Sequence, residues 1–117
     1  MAFEILKKDR YSHVKVLVDR LDTNNAPDLK SELVLLSGNG EKNIILDMSE
    51  CKYCDSSGLT AVLVANRLCE DSLGTFILSS LQPDVDNLIK ISMLHTVLLI
   101  TNSVDEAEEL LNKKDKL

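Results

Sequence analysis

The stretch Cys54-Asp55-Ser56-Ser57-Gly58-Leu59 lies between two apolar segments of different character. Residues 43–48 before it form a short run rich in β-branched side chains, which is typical of a strand buried on both faces. Residues 59–68 after it have helical character. Acidic and hydroxyl side chains at such a junction accept hydrogen bonds from the free N–H groups of a helix's first turn. The pattern therefore predicts Ser56 at a helix N-terminus, near the surface.

Length and charge limit the kinds of protein this chain can be. Its 117 residues are enough for one α/β domain spanning residues 1–117 that folds without a metal or disulfide. The formal net charge of −6 disfavours nucleic acid and anionic membranes as partners and favours a protein with a basic patch. The sequence has no signal-peptide pattern and no apolar run near the ~18 residues of a membrane span. An odd number of cysteines indicates a reducing compartment, so we expect a cytoplasmic protein.

The first third of the chain predicts strands followed by a helix. Residues 1–10 are expected to form a strand or an ordered lead-in. Residues 12–18 alternate in the period of two that marks a strand with one face on a core, and His13 is expected to face solvent. A proline with an aspartate beside it begins a helix at Ala26-Pro27-Asp28, and Gly38-Asn39-Gly40 ends that helix.

The last third of the chain repeats the alternation. Residues 75–79 predict a buried strand, and Pro83 begins an amphipathic helix with Met93 among its inward side chains. Residues 97–100 predict a last strand, followed by a helix that starts at a capping box, Ser103-Val104-Asp105-Glu106. The tail, residues 113–117, is expected to be solvated and frayed. The whole pattern predicts a mainly parallel, mixed sheet of four to five strands with about four helices packed on it.

This order of elements, with Asp55-Ser56-Ser57-Gly58-Leu59 at the start of the central helix, resembles the STAS domain of bacterial anti-sigma factor antagonists. The resemblance covers nearly the whole chain and also includes the Leu21-Asp22 pair, the Ala26-Pro27 helix start, a strand ending near Asp47, Leu81 with Pro83, and Met93-Leu94. Two departures from the family pattern are Asp19-Arg20, where a glycine-glutamate pair is common, and Gly74, where a glycine pair is common.

The resemblance implies a regulatory binding protein and not an enzyme. It implies that Ser56, or as second choice Ser57, is phosphorylated by an anti-sigma factor that is itself a serine kinase. The unphosphorylated form would bind this kinase and release a sigma factor, phosphorylation would abolish binding, and a serine phosphatase would reset the switch. The partner-binding residues are then Asp22, Asp55, Ser56, Ser57, Gly58 and Leu59. No cofactor or metal is expected in the chain, because ATP belongs to the kinase, and a monomer is the default.

Each site residue also has a purely structural interpretation. Ser56 and Ser57 are residues that commonly cap helices, and Asp55 is a second potential cap. Gly58 is expected to permit close approach of a neighbouring segment or to leave room for a docking surface, because glycine in a first turn lowers helix stability. A STAS subunit that docks permanently in a larger assembly, for lipid transport or signalling, is therefore an alternative function.

Cys51-Lys52-Tyr53-Cys54 has the spacing of a redox dithiol or of half a zinc site. A redox cysteine should lie at a helix N-terminus, but here the helix is predicted to begin after Asp55, and the acids Glu50 and Asp55 should raise the thiol pKa. A second pair of zinc ligands is missing from the sequence nearby. Cys54 is better explained as a small buried apolar residue, although a thiol-dependent enzyme remains a third hypothesis.

Overall fold

In a computed structural model of the chain, which describes residues 2–115, strands and helices alternate along the sequence. The strands are β1 (Phe3–Lys7), β2 (Ser12–Val16), β3 (Arg20–Leu21), β4 (Ile44–Asp47), β5 (Tyr53–Cys54), β6 (Phe76–Ser79) and β7 (Leu99–Thr101). The α-helices are α1 (Ala26–Gly38), α2 (Ser56–Asp71), α3 (Pro83–Ile91) and α4 (Val104–Asp115). The predicted alternation of strands and helices is therefore confirmed.

Five of these strands form one mixed sheet in the order β1-β2-β4-β6-β7. β1 pairs antiparallel with β2, whereas the β2–β4, β4–β6 and β6–β7 pairs are parallel. Parallel neighbours need crossover connections, which α1, α2 and α3 supply in turn. The predicted mainly parallel sheet with helices packed on it is confirmed.

The two faces of the sheet are covered unequally. Ile44 and Leu46 of β4 join a large apolar cluster with the buried side chains of α1, α2 and α3. Ile45, which points to the opposite face, joins a small cluster with residues of α4 such as Leu111. Because both faces are covered, every residue of β4 and β6 is buried, which explains why these strands appear in the sequence as continuous apolar runs.

The prediction that His13 faces solvent is wrong. Its side chain is only 15% exposed, and its Nε2 atom lies 3.0 Å from Oδ2 of Asp47. β2 lies between β1 and β4, so its second face meets a side chain of the neighbouring strand. Burial opposes the charged form of Asp47, but hydrogen bonds from Ser49 and His13 hold the pKa of this carboxyl below its usual value.

Two predictions about helix ends also need correction. Met93 does not turn inward on α3, because the helix ends at Ile91 and Met93 follows it with φ of 62° and 60% exposure. α4 continues to Asp115, so Lys113 and Lys114 are helical where we expected a frayed tail. Residues 116–117 of that predicted tail lie outside the described residues. Among residues 2–115, none of the helices combines the length and the apolar character that crossing a membrane requires.

Candidate functional site

The N-terminus of α2 is capped by Asp55 and not by either serine. Asp55 has an extended backbone, and its Oδ1 atom accepts hydrogen bonds from the backbone N–H groups of Ser57 at 2.9 Å and Gly58 at 3.1 Å. Two of the free donors of the first turn are thereby satisfied. The capping role that the sequence left open for the serines therefore belongs to Asp55.

The two serines differ in accessibility. Ser56 is the first residue of α2 and is exposed, as predicted, and its carbonyl accepts a hydrogen bond from Thr60 Oγ1 at 2.9 Å. Ser57 is half-buried and lines a small pocket of about 140 Å³ between the starts of α1 and α2, together with Lys30. Of the two hydroxyl residues, Ser56 is thus the more accessible to another protein.

Gly58 is required by close packing beneath the serines. A Cβ atom at this position would lie 2.4 Å from Cys54 Sγ and 2.6 Å from the carbonyl oxygen of Leu21. No side chain can occupy that space without displacing its neighbours. The expectation of a close approach at Gly58 is confirmed, and the residue is buried.

A small parallel sheet, formed by β3 and β5, fixes the position of α2. β3 follows β2 along the chain and β5 follows β4. The two segments that are already paired in the main sheet therefore pair again here, with Leu21 opposite Cys54. The ladder ends where the backbone N–H of Asp55 donates to the carbonyl of Leu21 at 3.1 Å. Since Leu21 and Cys54 are register partners, the residues that follow them, Asp22 and Asp55, leave the ladder side by side.

Asp22 lies in a tight turn that leads into α1. Its Oδ1 atom accepts from the backbone N–H of Asn24 at 3.0 Å, and its own backbone N–H donates to Asn25 Oδ1 at 2.9 Å. The amide group of Asn25 also donates to the carbonyl of Arg20 at 2.8 Å. The sequence motifs at Leu21-Asp22 and at Asp55-Ser56, far apart in the chain, therefore form one surface.

Arg20 and Tyr53 belong to this surface but were not among the predicted site residues. The guanidinium carbon of Arg20 lies 4.3 Å from the centre of the Tyr53 ring, which is a cation–π distance, and Arg20 Nε lies 3.9 Å from Asp22 Oδ2. Both side chains are exposed. The pair depends on the register of β3 with β5, which no local pattern reveals.

Leu59, one of the predicted partner-binding residues, is only partly exposed. Its side chain is half-buried and packs against the large apolar cluster beneath α2. Asp22, Asp55 and Ser57 are also half-buried, so Ser56 is the most exposed of the predicted partner-binding residues. In the predicted site Ser56 is therefore exposed and directly follows Asp55, whose carboxylate caps the helix.

The cysteine pair has the environment of buried apolar side chains. Cys51, Cys54 and Cys69 are all free and buried. Burial raises the pKa of the Cys51 thiol, and burial together with the nearby Cys51 and Asp55 raises that of Cys54 to about 12. A thiol that stays protonated is a poor nucleophile and a poor metal ligand. Within residues 2–115, His, Cys, Asp and Glu side chains form no group of three that could hold a metal ion.

Comparisons with known proteins agree with this geometry. The STAS domain family model matches residues 8–107. BtrV of Bordetella bronchiseptica, named as a candidate anti-sigma factor antagonist, is 29% identical over 87 residues, which cover 74% of this chain and 75% of BtrV.

Solved structures of low sequence identity share the fold. A candidate anti-sigma factor antagonist of Thermotoga maritima is 22% identical, with a TM-score of 0.85 over 94% of each chain. The anti-sigma factor antagonist SpoIIAA in its unphosphorylated form is 19% identical, with a TM-score of 0.74 over 99% of this chain and 100% of SpoIIAA. SpoIIAA of Bacillus in its phosphorylated form is 20% identical, with a TM-score of 0.73 over 93% and 99% of the two chains. By its family match and its fold, this chain belongs to the STAS domain family.

Proposed function

We propose that the chain is an anti-sigma factor antagonist whose binding to a serine kinase is controlled by phosphorylation of Ser56. In this proposal the unphosphorylated form binds an anti-sigma factor that is also a serine kinase, and a sigma factor is released. Phosphorylation of Ser56 abolishes binding, and a serine phosphatase restores it. The chain itself performs no catalysis.

The observation that carries the proposal is the exposed Ser56 hydroxyl at the first position of a well-formed helix. A phosphoryl group brings a charge of about −1.5 to −2, and the N-terminus of a helix stabilises negative charge through its dipole and N–H groups. The domain can therefore carry the modification without refolding.

The same charge acts differently on a bound partner. Ser56 is adjacent to the Asp55 carboxylate and lies near the Asp22 turn, so the modified surface concentrates negative charge in a small area. When an interface removes water from these groups, repulsion between like charges costs several kcal/mol, and every ~1.4 kcal/mol weakens binding about tenfold. A switch that depends on charge alone is large enough to release a partner.

The relatives support the proposed role as an anti-sigma factor antagonist. BtrV and SpoIIAA are described as anti-sigma factor antagonists, BtrV as a candidate, and SpoIIAA is known in both phosphorylated and unphosphorylated forms. This chain shares their fold and has an exposed serine at the start of α2.

The test is incubation of the purified chain with its candidate anti-sigma factor kinases and ATP, followed by intact-mass and fragment mass spectrometry. We expect a gain of one phosphoryl group, about 80 Da, on Ser56, which Ser56→Ala prevents and the matched variant Ser57→Ala does not. Calorimetric titration should show that Ser56→Asp binds the same kinase at least about 100-fold more weakly than the wild type.

Other results would point to other functions. Equal binding of a partner by Ser56→Ala and Ser56→Asp would favour the permanently docked STAS subunit over the switch. An activity lost in Cys51→Ser or Cys54→Ser and kept in Ser56→Ala would favour the thiol-dependent enzyme. Phosphorylation of Ser57 alone would move the site by one residue and leave the mechanism in place.

A further inference from the structure

An open apolar groove runs between α1 and α2, on the surface that continues from Ser57. It has a volume of about 700 Å³ and is lined by Pro27, Lys30, Ser31, Val34, Leu35 and Val64. Val34 and Leu35 are 54% and 61% exposed, because the inward side of α1 is already occupied by Leu29 and Leu33. Single exposed apolar residues are ordinary, whereas Val34 and Leu35 lie together in one groove.

Charge is segregated around this groove. The acids of α1, Asp28 and Glu32, line a different pocket beside β1, whereas Lys30 lines the groove. On α2 the exposed Arg67 lies one turn beyond Val64, on the neighbouring part of the helix surface. In the part of the chain that the structure describes, neither Lys30 nor Arg67 takes part in an ion pair. In a chain of net charge −6, this groove is therefore lined by one unpaired cation, Lys30, and a second, Arg67, lies one turn further along α2.

The groove and the predicted site form one surface. Pro27 and Lys30 line both the groove and the small pocket that contains Ser57. A partner that contacts the N-terminus of α2 can thus extend along α1 and α2 without leaving the surface. An apolar groove bordered by cations fits an amphipathic helix whose apolar stripe is flanked by carboxylates.

We propose that this groove holds an acidic amphipathic helix of the protein that recognises Ser56, an inference that rests on the proposed function for the identity of that protein. A second copy of this chain offers no equivalent helix within residues 2–115. Its acidic helix α4 has its apolar side chains, such as Ala107 and Leu111, buried against its own sheet.

The position of Lys30 links the groove to the modification. Lys30 lines the small pocket that contains Ser57, the residue next to Ser56. In this proposal a phosphoryl group on Ser56 competes with a partner carboxylate for this cation. Phosphorylation would then weaken binding in two ways, through repulsion at Asp55 and through loss of the Lys30 contact.

The test uses a synthetic helical peptide of about 15 residues, with a leucine stripe at positions i, i+4 and i+7 flanked by glutamates. A second peptide has the same stripe flanked by lysines. Titration into isotope-labelled protein should shift the backbone amide signals of Val34, Leu35 and Val64. The glutamate peptide should bind at least about tenfold more tightly than the lysine peptide.

Matched variants test which residues determine the preference between the two peptides. The double variant Lys30→Glu with Arg67→Glu should reverse the preference between the two peptides, whereas Lys113→Glu, an exposed site on α4, should leave it unchanged. Leu35→Asp should weaken binding of the glutamate peptide about tenfold. Ile91 is 80% exposed and lies outside the groove, so Ile91→Asp should leave binding of this peptide unchanged.

Three results would overturn the inference. These are amide shifts confined to residues outside the groove, equal binding of the two peptides, or a dimer in analytical ultracentrifugation that Leu35→Asp dissociates. Because the peptide titration contains no kinase, its result tests the groove independently of the proposed phosphorylation of Ser56. A chain that binds the glutamate peptide in the groove but is never phosphorylated on Ser56 would contradict the proposed switch and leave the groove assignment standing.

Discussion

Replacement of Gly58 by alanine tests whether close packing fixes the start of α2. The new methyl group would lie 2.4 Å from Cys54 Sγ and 2.6 Å from the carbonyl oxygen of Leu21, whereas nonbonded heavy atoms normally stay about 3.5–4.0 Å apart. The carbonyl is backbone and belongs to the ladder that holds Asp55, so it cannot move without cost. We expect α2 to shift and the cap to weaken.

The expected change in the free energy of unfolding is the difference between two opposing effects. Overpacking a buried site costs about 1–3 kcal/mol, and because one of the clashes here is with a backbone atom we take the upper part of this range, about 2–3 kcal/mol. Alanine offsets about 1 kcal/mol of this through its higher helix propensity. Gly58→Ala should therefore lower the free energy of unfolding by about 1–2 kcal/mol. For a domain of this size the melting temperature should fall by about 4–8 °C.

Urea denaturation followed by circular dichroism measures this change. Gly38→Ala is a matched control, because Gly38 is the last residue of α1 and a Cβ atom there would meet nothing within 4 Å. This control should be as stable as the wild type or more stable. Adding Cys54→Ala to Gly58→Ala should relieve the sulfur contact and give a favourable coupling energy. A Gly58→Ala protein as stable as Gly38→Ala would refute the packing argument.

Three further predictions concern the cap, the buried acid and the thiols. Asp55→Ala should cost about 1 kcal/mol in urea denaturation, with Asp55→Asn nearer the wild type, and equal stability of all three would contradict the cap. The folded-state pKa of Asp47 is lowered, so its stabilising effect is present above the ordinary carboxyl pKa and is lost as pH falls through the lowered value. The stability difference between wild type and Asp47→Asn should shrink over that range, and a pH-independent difference would oppose this account. With a pKa of about 12, Cys54 should react with a disulfide reagent at pH 8 only after unfolding, whereas rapid reaction of the native protein would show an accessible thiolate.

The elements that the sequence predicted well are those whose signals are local. The apolar runs of β4 and β6, the proline at the start of α1 and the polar turn before α2 each depend on residues that are neighbours in the chain. For the same reason the position of Ser56 at a helix N-terminus could be predicted, because acidic and hydroxyl residues between an apolar strand and a helix are typical of a helix start.

The features that the sequence could not reveal depend on distant residues. β3 and β5 contain two residues each, too few for a periodic pattern, and they pair because β2 and β4 bring their chain segments together. The contact between His13 and Asp47 likewise requires β2 to be an interior strand. The groove beside Lys30 depends on how α1 packs against α2, which no single helix determines.

The unequal covering of the two sheet faces implies a hierarchy of local stability. α4 is held by a cluster of five buried residues, Tyr11, Ile45, Ile77, Ala107 and Leu111, whereas α1, α2 and α3 share one far larger cluster. Segments with fewer buried apolar contacts open at lower free energy and exchange their amide hydrogens sooner. We therefore expect the C-terminal helix to open at lower free energy than α2, on the opposite face of the sheet, so a tag or fusion placed after α4 should leave the geometry around Ser56 unchanged.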